Sequence, residues 1–324
     1  MKQTLCKLLC GACCLAAPAL HAADAAFPTK PVRIIVPFAP GGPTDIVART
    51  VSQQLTQLFG QAVVVDNRPG AGGVVGADLA AKSAPDGYTL LLCSTGAMAI
   101  NPGLLSKMPY DSVRDFAPIT LVVTIPYLLL VNPGFAAQSV KDLLALAKAK
   151  PGQLNYGSAG IGTTSHLAME LFRSMAGISV VHVAYKGSSP AATDLVGGQL
   201  QLMFDAPPSA LPFVRGGKLR ALGISTLRRT PLLPDMPTIN EAGVPGYEVL
   251  TWSGICAPAR TPQAIVARLN EAIVKGITSN ETRGRFAAIG ADVVANSPDD
   301  YRKFIAAELA KWSRVIKEAG VVAH

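Results

Sequence analysis

Residues 36–49 read VPFAPGGPTDIVAR, and the fold can be inferred outward from this stretch. The apolar run Val32–Val36 leads into it and predicts a buried strand. An amphipathic pattern over Thr44–Phe59 predicts the helix that follows. Between them, Gly41 and Gly42 let the backbone turn sharply and remove the side chains that would keep a ligand away. A strand, a tight glycine turn and a helix are therefore expected here.

The turn itself, residues 37–45, is called the first elbow below, and it has two interpretations. We expect Thr44 to be the N-cap of the helix, so the next backbone N–H groups have no partner inside it. Free donors and the positive end of the helix dipole together suit a carboxylate or a phosphate. The alternative is an ordinary strand-to-helix turn. This segment alone does not decide between the two.

Composition limits the classes of protein that the chain can belong to. It has 324 residues, of which 49% are hydrophobic and 15% charged, which predicts about two globular domains and excludes a disordered or coiled-coil chain. The formal net charge is +8, and +6 remains once Lys2 and Lys7 are removed with the leader described next. The basic residues are scattered, so no nucleic-acid partner is expected. A mild positive field favours small anions.

The first 25 residues are predicted to be a secretory signal peptide. Lys2 and Lys7 flank the start of an apolar segment, Leu8–Leu20, and small residues follow, with cleavage expected between Ala22 and Ala26. Four of the six cysteines lie inside this leader, and lipidation at one of them stays open as an alternative. The mature protein is therefore expected in the periplasm. The later apolar stretch, residues 119–131, is too short to span a membrane.

Two cysteines, Cys93 and Cys256, remain in the mature chain. They could form a disulfide in an oxidising compartment, but both lie in apolar runs, and two buried thiols are the favoured interpretation. The histidines do not cluster with them in sequence, so no metal site is expected. No cofactor is expected either.

Strand-like and helix-like segments alternate along the chain, which predicts parallel sheets covered on both faces. Ligands bind beyond the carboxyl ends of such strands, where both the first elbow and Ser94-Thr95 would lie. The apolar stretch 119–131 is interrupted by Pro126 and is interpreted as a crossing between domains, and Leu219–Ile224 as the return. The predicted domains are residues 26–122 with 224–324, and residues 123–223.

A second elbow, residues 156–166, reads YGSAGIGTTSH and repeats the chemistry of the first in the other domain. Its backbone amides, with the hydroxyls of Ser158, Thr163 and Thr164, could surround a carboxylate. One glycine-rich elbow is weak support for an anion site. Two of them, one in each domain at strand carboxyl ends, favour a pair of ligand-binding jaws.

Competing motifs fit these residues poorly. Thr163-Thr164 stand where a phosphate loop requires Lys-Ser/Thr, and neither elbow gives the dinucleotide fingerprint. No Gly-x-Ser-x-Gly or Ser-x-x-Lys sequence occurs, so no enzyme activity is expected. His166 is expected to pack or hydrogen-bond in the fold. Two roles stay open for Asp45: it could pair with a ligand amine, or it could be an acid that stabilises the helix start. For Asp205, at a strand end, the structural role is favoured.

With both elbows in view, the whole mature chain resembles the periplasmic solute-binding proteins of tripartite tricarboxylate transporters, also called Bug receptors. The marks of the resemblance are ordered along the sequence: PTKPVRIIVPF (28–38), PGGPTD (40–45), NRPGAGG (67–73), PDGYTL (85–90), YGSAGIGT (156–163), YKG (185–187), DLVGGQ (194–199), GKLRAL (217–222), LPDMPT (233–238) and EAG (241–243).

The resemblance implies an α/β, two-lobed, periplasmic-binding-protein-like fold of the Venus flytrap kind, with discontinuous domains and a central ligand cleft. It implies a monomeric receptor that delivers a small carboxylate to membrane permease subunits. A secreted hydrolase and a sensory binding protein that signals to a membrane kinase are the alternatives. Carried onto this chain, the binding residues are Phe38, Pro40, Gly42, Thr44, Asp45, Ser94 and Thr95 in one domain, and Ser158, Gly160, Gly162, Thr163, Thr164 and Asp205 in the other.

Overall fold

A computed structural model describes residues 27–230 and 232–321, so the predicted signal peptide lies outside the described residues. The strands and helices, in chain order, are β1 (Val32–Val36), α1 (Pro43–Phe59), β2 (Val63–Asn67), α2 (Val74–Ala81), β3 (Thr89–Ser94), α3 (Asn101–Leu104), β4 (Phe116–Pro126), β5 (Leu128–Val131), α4 (Val140–Ala149), β6 (Asn155–Ser158), α5 (Thr164–Ala176), β7 (Val181–Ala184), α6 (Ser188–Val196), β8 (Leu202–Asp205), α7 (Pro207–Arg215), β9 (Arg220–Ile224), β10 (Leu250–Pro258), α8 (Gln263–Ile277), α9 (Asn280–Ala288), β11 (Asp292–Val293) and α10 (Pro298–Ala319). Short 3₁₀ and π turns, Ala71–Gly73 and Gly96–Ile100, precede α2 and α3. Within the described ranges, none of these helices is long and apolar enough to cross a bilayer.

The first lobe is built on a six-stranded sheet with the strand order β11-β4-β10-β3-β1-β2. Strand β1 pairs in parallel with both β2 and β3, whereas β10 is antiparallel to β3 and to β4. Strands β1, β3, β4 and β10 are almost wholly buried, because helices cover both faces.

The second lobe is built on a five-stranded sheet with the order β7-β6-β8-β5-β9. Strands β6, β7 and β8 are parallel, and β5 is antiparallel to both β8 and β9. The expectation of purely parallel sheets is therefore wrong where the chain passes between lobes. A strand that arrives from the other lobe does not follow a right-handed β-α-β connection, so its direction is not set by one.

The chain changes sheets at Tyr127. Strand β4 of the first lobe ends at Pro126, and β5 of the second lobe begins at Leu128. A proline has no N–H for a strand ladder, which suits it to the point where one sheet ends. Ser225, fully buried, joins the outward and return strands: its Oγ accepts from Tyr127 N at 2.8 Å and donates to Val249 O at 2.5 Å. Tyr127, Ser225 and Val249 are called the hinge below.

The described residues between β9 and β10, 225–230 and 232–249, pack mainly on the second lobe. Tyr247 stacks on Phe204 at 5.8 Å and donates its hydroxyl proton to Ala168 O at 2.9 Å. The predicted domain division assigns this segment to the first lobe and stays a prediction. These contacts favour a boundary close to Val249.

Cys93 on β3 and Cys256 on β10 are joined in a disulfide, with a Cα–Cα distance of 6.4 Å. The expectation of two free thiols is therefore wrong. Strands β3 and β10 are neighbours in the first sheet, in a register that pairs Gly254 with Cys93. The two cysteines thus lie one diagonal step apart across the ladder. Nothing in sequences separated by 163 residues reveals that register.

Candidate ligand-binding cleft

The helix of the first elbow begins one residue earlier than predicted. Pro43 is the first helical residue, and Gly42, with extended backbone angles, is the N-cap. The expectation that Thr44 caps the helix is wrong. Proline is favoured at the first helical position, so the helix begins at Pro43, before Thr44. Thr44 lies in the first turn instead. No side chain caps this helix start, which leaves first-turn N–H groups free for another acceptor.

A cavity lies between the two lobes, next to the hinge, and is called the central cavity. About 630 Å³ of it, including its open mouth, is free of protein atoms. None of its lining residues is charged: they are Phe38, Ala39, Gly42, Pro43, Thr44, Ser94, Gly96, Ile125, Tyr127, Ala159, Thr163, Thr164, Gly187, Ser188, Ser189, Thr251 and Ser253. Hydroxyl groups and helix starts therefore determine the chemistry of the cavity.

Three helix N-termini meet at this cavity, one from the first lobe and two from the second. Helix α1 contributes Thr44, helix α5 contributes Thr164, and helix α6 contributes Ser188 and Ser189. The first N–H groups of each helix have no intrahelical acceptor, and each dipole is positive at this end. Three positive helix ends are therefore directed at the cavity, and its lining contains no lysine or arginine.

The start of α6 is a third elbow that the sequence reasoning missed. Strand β7 ends at Ala184, and Gly187, at φ +138°, is the N-cap of α6 with no side-chain cap. The signal was present in the sequence Tyr185–Pro190, YKGSSP, which also follows a strand with glycine, serine and proline. In the sequence, its first three residues serve only as a mark of the family resemblance.

The structure brings together about half of the predicted binding residues at the central cavity. Those that line it are Phe38, Gly42, Thr44, Ser94, Thr163 and Thr164. Those that do not are Pro40, Asp45, Thr95, Ser158, Gly160, Gly162 and Asp205. Pro40 is exposed within the first elbow, and the contacts of most of the others are described below.

Asp45 holds the first elbow in place. Its buried carboxylate accepts hydrogen bonds from Gly41 N at 3.0 Å, Arg49 Nε at 2.8 Å and Asn67 Nδ2 at 2.9 Å. Burial raises the pKa of this carboxyl, but the bonds from Arg49, Gly41 and Asn67 outweigh it and hold the pKa below its usual value. Of the two roles left open for Asp45, the geometry favours the helix-start acid.

The glycine-bearing part of the second elbow uses its backbone donors internally. Ala159 N donates to Ser165 Oγ at 2.9 Å, Gly160 N to Ser158 Oγ at 3.1 Å, and Gly162 N to His166 Nδ1 at 3.3 Å. These amides are therefore not available to a ligand. The second elbow offers the cavity the Thr164 side chain and the first N–H groups of α5. The Thr163 hydroxyl already donates to Gly160 O at 2.7 Å and accepts from His166 N at 3.4 Å.

A stack of three rings supports the second elbow from below. His182 lies between Tyr156, at a centroid distance of 4.7 Å, and His166, at 4.2 Å. Burial lowers the pKa of His166 to about 3, with His182 and Arg173 adding to the effect. Burial also lowers the pKa of His182 to about 4, against the opposing charge of Glu170. Both rings are thus neutral at ordinary pH, and His166 has the structural role expected of it.

The same stack contains a Ser–His contact that bears on the hydrolase alternative. Ser158 Oγ lies 2.6 Å from His182 Nε2. Ser158 is fully buried, however, and it does not line the central cavity. A nucleophile needs access to its substrate as well as a base, so this pair contributes to the fold of the elbow.

Asp205 lies one layer behind the cavity at the end of β8. It accepts from Ala206 N at 2.9 Å and Ser209 Oγ at 2.6 Å, and Ser188 lies close enough to donate to it as well. Complete burial raises the pKa of Asp205 to about 6, which these hydrogen bonds only partly offset. Asp205 therefore anchors α7 and Ser188, in line with its expected structural role.

The strands beside the hinge contribute cavity residues that sequence reasoning did not identify: Ile125, Tyr127, Thr251 and Ser253. Thr251 lies between the lobes, with its Oγ1 3.3 Å from Thr95 Oγ1 and 3.4 Å from Thr164 Oγ1. These positions follow no glycine turn and have no local motif. Only the pairing of β4 with β10 brings them to the site.

Glycines let the two lobes approach closely beside the cavity. A Cβ placed on Gly96 would lie 2.9 Å from Gly162 O, and one on Gly72 would lie 2.4 Å from Ile161 O. Asn101 fills the remaining space: it donates to Gly72 O at 3.0 Å, and a Cβ on Gly162 would lie 1.8 Å from its Oδ1. The absence of a side chain at Gly162 thus allows the two lobes to touch, and any side chain there would hold them apart.

Comparisons with known proteins agree with this arrangement. The family model described as "Tripartite tricarboxylate transporter family receptor" matches residues 47–321. Protein BugT of Bordetella pertussis is 40% identical to this chain over 295 residues, which cover 91% of this chain and 90% of that protein.

Two solved structures with bound ligands are similar throughout. Rpa4515 of R. palustris, solved with adipate, is 38% identical with a TM-score of 0.90, covering 91% of this chain and 99% of that one. MatC of Rhodopseudomonas palustris, solved with bound malate, is 34% identical with a TM-score of 0.86, covering 90% of this chain and all of that one. The two-lobed α/β fold with a ligand cleft is therefore shared.

Proposed function

The chain belongs to the tripartite tricarboxylate transporter receptor family, and on that premise we propose that it captures a small carboxylate in the central cavity for delivery to a membrane permease. The observation that carries the proposal is the convergence of three helix N-termini on a cavity with no charged side chain in its lining. Oriented N–H groups and hydroxyls suit an anion, and a carboxylate is the anion that adipate and malate share in the related structures.

Binding couples to closure of the lobes. A carboxylate first meets the free N–H groups of α1, and rotation about the hinge then brings α5 and α6 against it. Each charge-assisted hydrogen bond contributes about 1.5–3 kcal/mol net. Several such bonds suffice for a dissociation constant of the order of micromolar after the costs of ordering are subtracted. The absence of a cation from the described lining also allows release.

The proposed cellular setting rests on the predicted leader and on the family. We place the mature receptor in the periplasm as a monomer, working with the permease subunits of a tripartite tricarboxylate-type transporter. No metal or cofactor is required, because fixed main-chain donors supply the positive potential. We also propose that it has no catalytic activity, since the one close Ser–His pair in the described chain lies outside the cavity.

Thermal denaturation of the mature protein with a panel of carboxylic acids tests this proposal. A ligand that binds the native state stabilises it by about 2.7 kcal/mol at a hundred times its Kd, which raises the melting temperature. The panel includes malate, citrate, adipate, benzoate and aspartate, each with its neutral amide as the matched control. We expect at least one acid to raise the melting temperature and its amide to have no effect. A protein that responds to no acid, or equally to an acid and its amide, would refute the proposal.

A further inference from the structure

Four hydroxyl groups lie together beside the hinge, where the two lobes meet. Thr95 follows β3 of the first lobe, Thr251 lies on β10 of the same lobe, Tyr127 is a hinge residue, and Thr164 begins α5 of the second lobe. Thr95, Thr164 and Tyr127 are almost fully buried. Buried hydroxyls need hydrogen-bond partners, so the direction of each bond can be worked out from the groups around them.

The backbone N–H of Trp252 sets the direction of the first hydrogen bond. It donates to Thr95 Oγ1 at 2.9 Å, so Thr95 is the acceptor there and keeps its own proton to donate. Among the described residues, the other partner of this hydroxyl is Thr251 Oγ1, at 3.3 Å. Thr95 therefore donates to Thr251.

Thr251 continues the chain of hydrogen bonds toward the second lobe. Because its Oγ1 accepts from Thr95, its own proton is left for Thr164 Oγ1, at 3.4 Å, or for the hydroxyl of Tyr127 close by. Burial raises the pKa of Tyr127, and the charge of Asp205 adds to the effect, so this phenol is protonated and can donate.

The chain ends at the central cavity. Thr164 and Tyr127 both line it, and each of them carries a hydroxyl proton. An ionised acceptor forms a stronger hydrogen bond than another hydroxyl does, so one of these protons turns to a carboxylate that enters the cavity. The direction set by Trp252 thus leads to a donor for an anion.

The same chain joins the two lobes. Its link between Thr251 and Thr164 connects a strand of the first sheet to a helix of the second lobe, so it exists only when the lobes are together. Hydrogen bonds in a chain polarise one another. An anion at the cavity end therefore strengthens the other links, including the one between the lobes.

We propose that Thr95, Thr251 and Thr164 form a directional hydroxyl chain that couples capture of a carboxylate to closure of the lobes. Thr95 does not line the central cavity, so it is a positioning residue that orients the other hydroxyls without touching the ligand. This inference rests on the proposed function. It adds donors on the hinge side of the cavity to those of the three helix N-termini.

Calorimetric titration of the mature Thr95→Val variant tests the proposal. The probe is whichever of malate, citrate, adipate, benzoate and aspartate stabilises the unaltered protein most. Valine has nearly the shape of threonine but no hydroxyl, and we expect affinity to fall about 2- to 12-fold, as for the loss of one net hydrogen bond. Thr95→Ser retains the hydroxyl and is expected to bind the acid as the unaltered protein does.

Thr120→Val is the matched control. Thr120 is also fully buried in the first lobe, and its hydroxyl donates to Asn296 O at 2.8 Å, outside the lining of the cavity. This variant loses a buried hydroxyl as Thr95→Val does, but its affinity for the acid is expected to be unchanged. Equal affinities in Thr95→Val and Thr120→Val would overturn the inference.

A double-mutant cycle shows whether the hydroxyls act as a unit. Thr251→Val removes the middle hydroxyl, so adding Thr95→Val to it is expected to weaken binding no further. Two independent residues would instead give the product of the two separate fold-changes. That product would contradict a chain.

The backbone amide of Trp252 gives a measurement that does not depend on whether Thr95→Val folds. Trp252 is buried and does not line the central cavity, yet its N–H begins the chain. In proton–nitrogen correlation spectra at saturating acid, we expect a downfield proton shift at Trp252 in the unaltered protein and less than half of it in Thr251→Val. Equal shifts in the two proteins would contradict the inference.

The outcomes separate this inference from the proposed function. If none of the five acids binds the unaltered protein, the proposed function fails, and the hydroxyl chain fails with it. If one of them binds, and binds Thr95→Val equally well, only the hydroxyl chain fails.

Discussion

The two elbows look alike in sequence but supply different things to the cleft. In the first, Asp45 fixes the turn from one side through Gly41, Arg49 and Asn67, and the first-turn N–H groups of α1 are left free. In the second, the amides of residues 159, 160 and 162 are bonded to side chains of the same elbow. The first elbow therefore presents main-chain donors directly after its glycines, whereas the second presents only the start of α5 and keeps the amides of its glycine turn bonded internally.

The second lobe compensates with α6. The N-cap of this helix is Gly187, and Ser188 and Ser189 of its first turn line the central cavity with no side-chain cap. The starts of α1 and α6 thus resemble each other, because neither has a side-chain cap and both can donate first-turn N–H groups to a ligand. The glycines of the second elbow serve a separate purpose, which is to let the lobes touch. Four expectations follow from this division of roles.

The largest expected effect on ligand binding is on closure, in Gly162→Ala. Gly162 (φ +73°) and Gly177 (φ +62°, the C-cap of α5) both have left-handed backbone angles, so alanine costs either position about 1–2 kcal/mol of folding stability. Only at Gly162 would the new Cβ meet Asn101 Oδ1, whereas nothing lies within 4 Å at Gly177. Overpacking of about 1–3 kcal/mol predicts ligand binding that is roughly 5- to 150-fold weaker in Gly162→Ala, as measured by calorimetry.

Gly177→Ala is the control. We expect it to have similar backbone strain and an unchanged affinity for the ligand. Adding Asn101→Ala to Gly162→Ala removes the obstructing side chain and is expected to restore part of the binding. Equal affinities in the two glycine variants would show that Gly162 has no role in lobe contact.

The next expectation concerns pH and the ring stack under the second elbow. Folding lowers the pKa of His166 to about 3 and of His182 to about 4 from 6.5, so the folded state favours the neutral rings. Their contribution to stability is complete above pH 6.5 and is lost as the pH falls through 4. Asp205 acts in the opposite direction: its folded pKa of about 6 exceeds the usual 3.8, so stability rises as it takes up a proton.

The effect of the two histidines exceeds that of the one carboxyl. We therefore expect the free energy of unfolding to fall by a net amount of the order of 3 kcal/mol between pH 6.5 and 4. Urea denaturation across this range measures it. The variant His182→Gln is expected to flatten the acid side of the profile. A profile that is identical in this variant would contradict the role of the stack.

The third effect is smaller and belongs to the first elbow. Asp45→Asn weakens the charge-assisted bonds from Gly41 N and Arg49, which predicts a loss of about 2 kcal/mol in the free energy of unfolding. Glu281→Gln is the matched control, because Glu281 also pairs with an arginine four residues on but is 70% exposed, against 4% for Asp45. An exposed pair is worth at most about 1 kcal/mol. Equal losses in urea denaturation would show that the first elbow does not depend on its buried carboxylate.

Much of the fold follows from the sequence, because apolar runs and glycine turns are local signals. The break at Pro126 correctly indicates the passage between sheets, and both elbows lie beside the central cavity. The sequence pattern does not predict helix α7, because its start, Ala206-Pro207-Pro208, is typical of a loop, although proline is favoured in the first helical turn. Strand directions beside the hinge and the Cys93–Cys256 pairing depend on sheet register, which no local pattern contains.

The candidate site was harder to predict than the fold. Glycine marks a place where backbone comes close to something, but it does not say whether that is a ligand or the other lobe. Gly42 lines the cavity, whereas Gly162 contacts Asn101. Thr251 reaches the cavity only through the pairing of β4 with β10. Residues of this kind can be identified as part of the site only once the pairing of the strands is known.

The most direct test of the account is the response of individual backbone amides to a carboxylate. Proton–nitrogen correlation spectra of the ¹⁵N-labelled mature protein, titrated with the best acid from the thermal screen, report each N–H separately. We predict downfield proton shifts for Thr44, Asp45, Ser188 and Ser189 as they become hydrogen-bond donors, and little change at Gly162 N, which already donates to His166. Shifts that are largest at Gly162 and absent from the starts of α1 and α6 would contradict the claim that these helix ends hold the ligand.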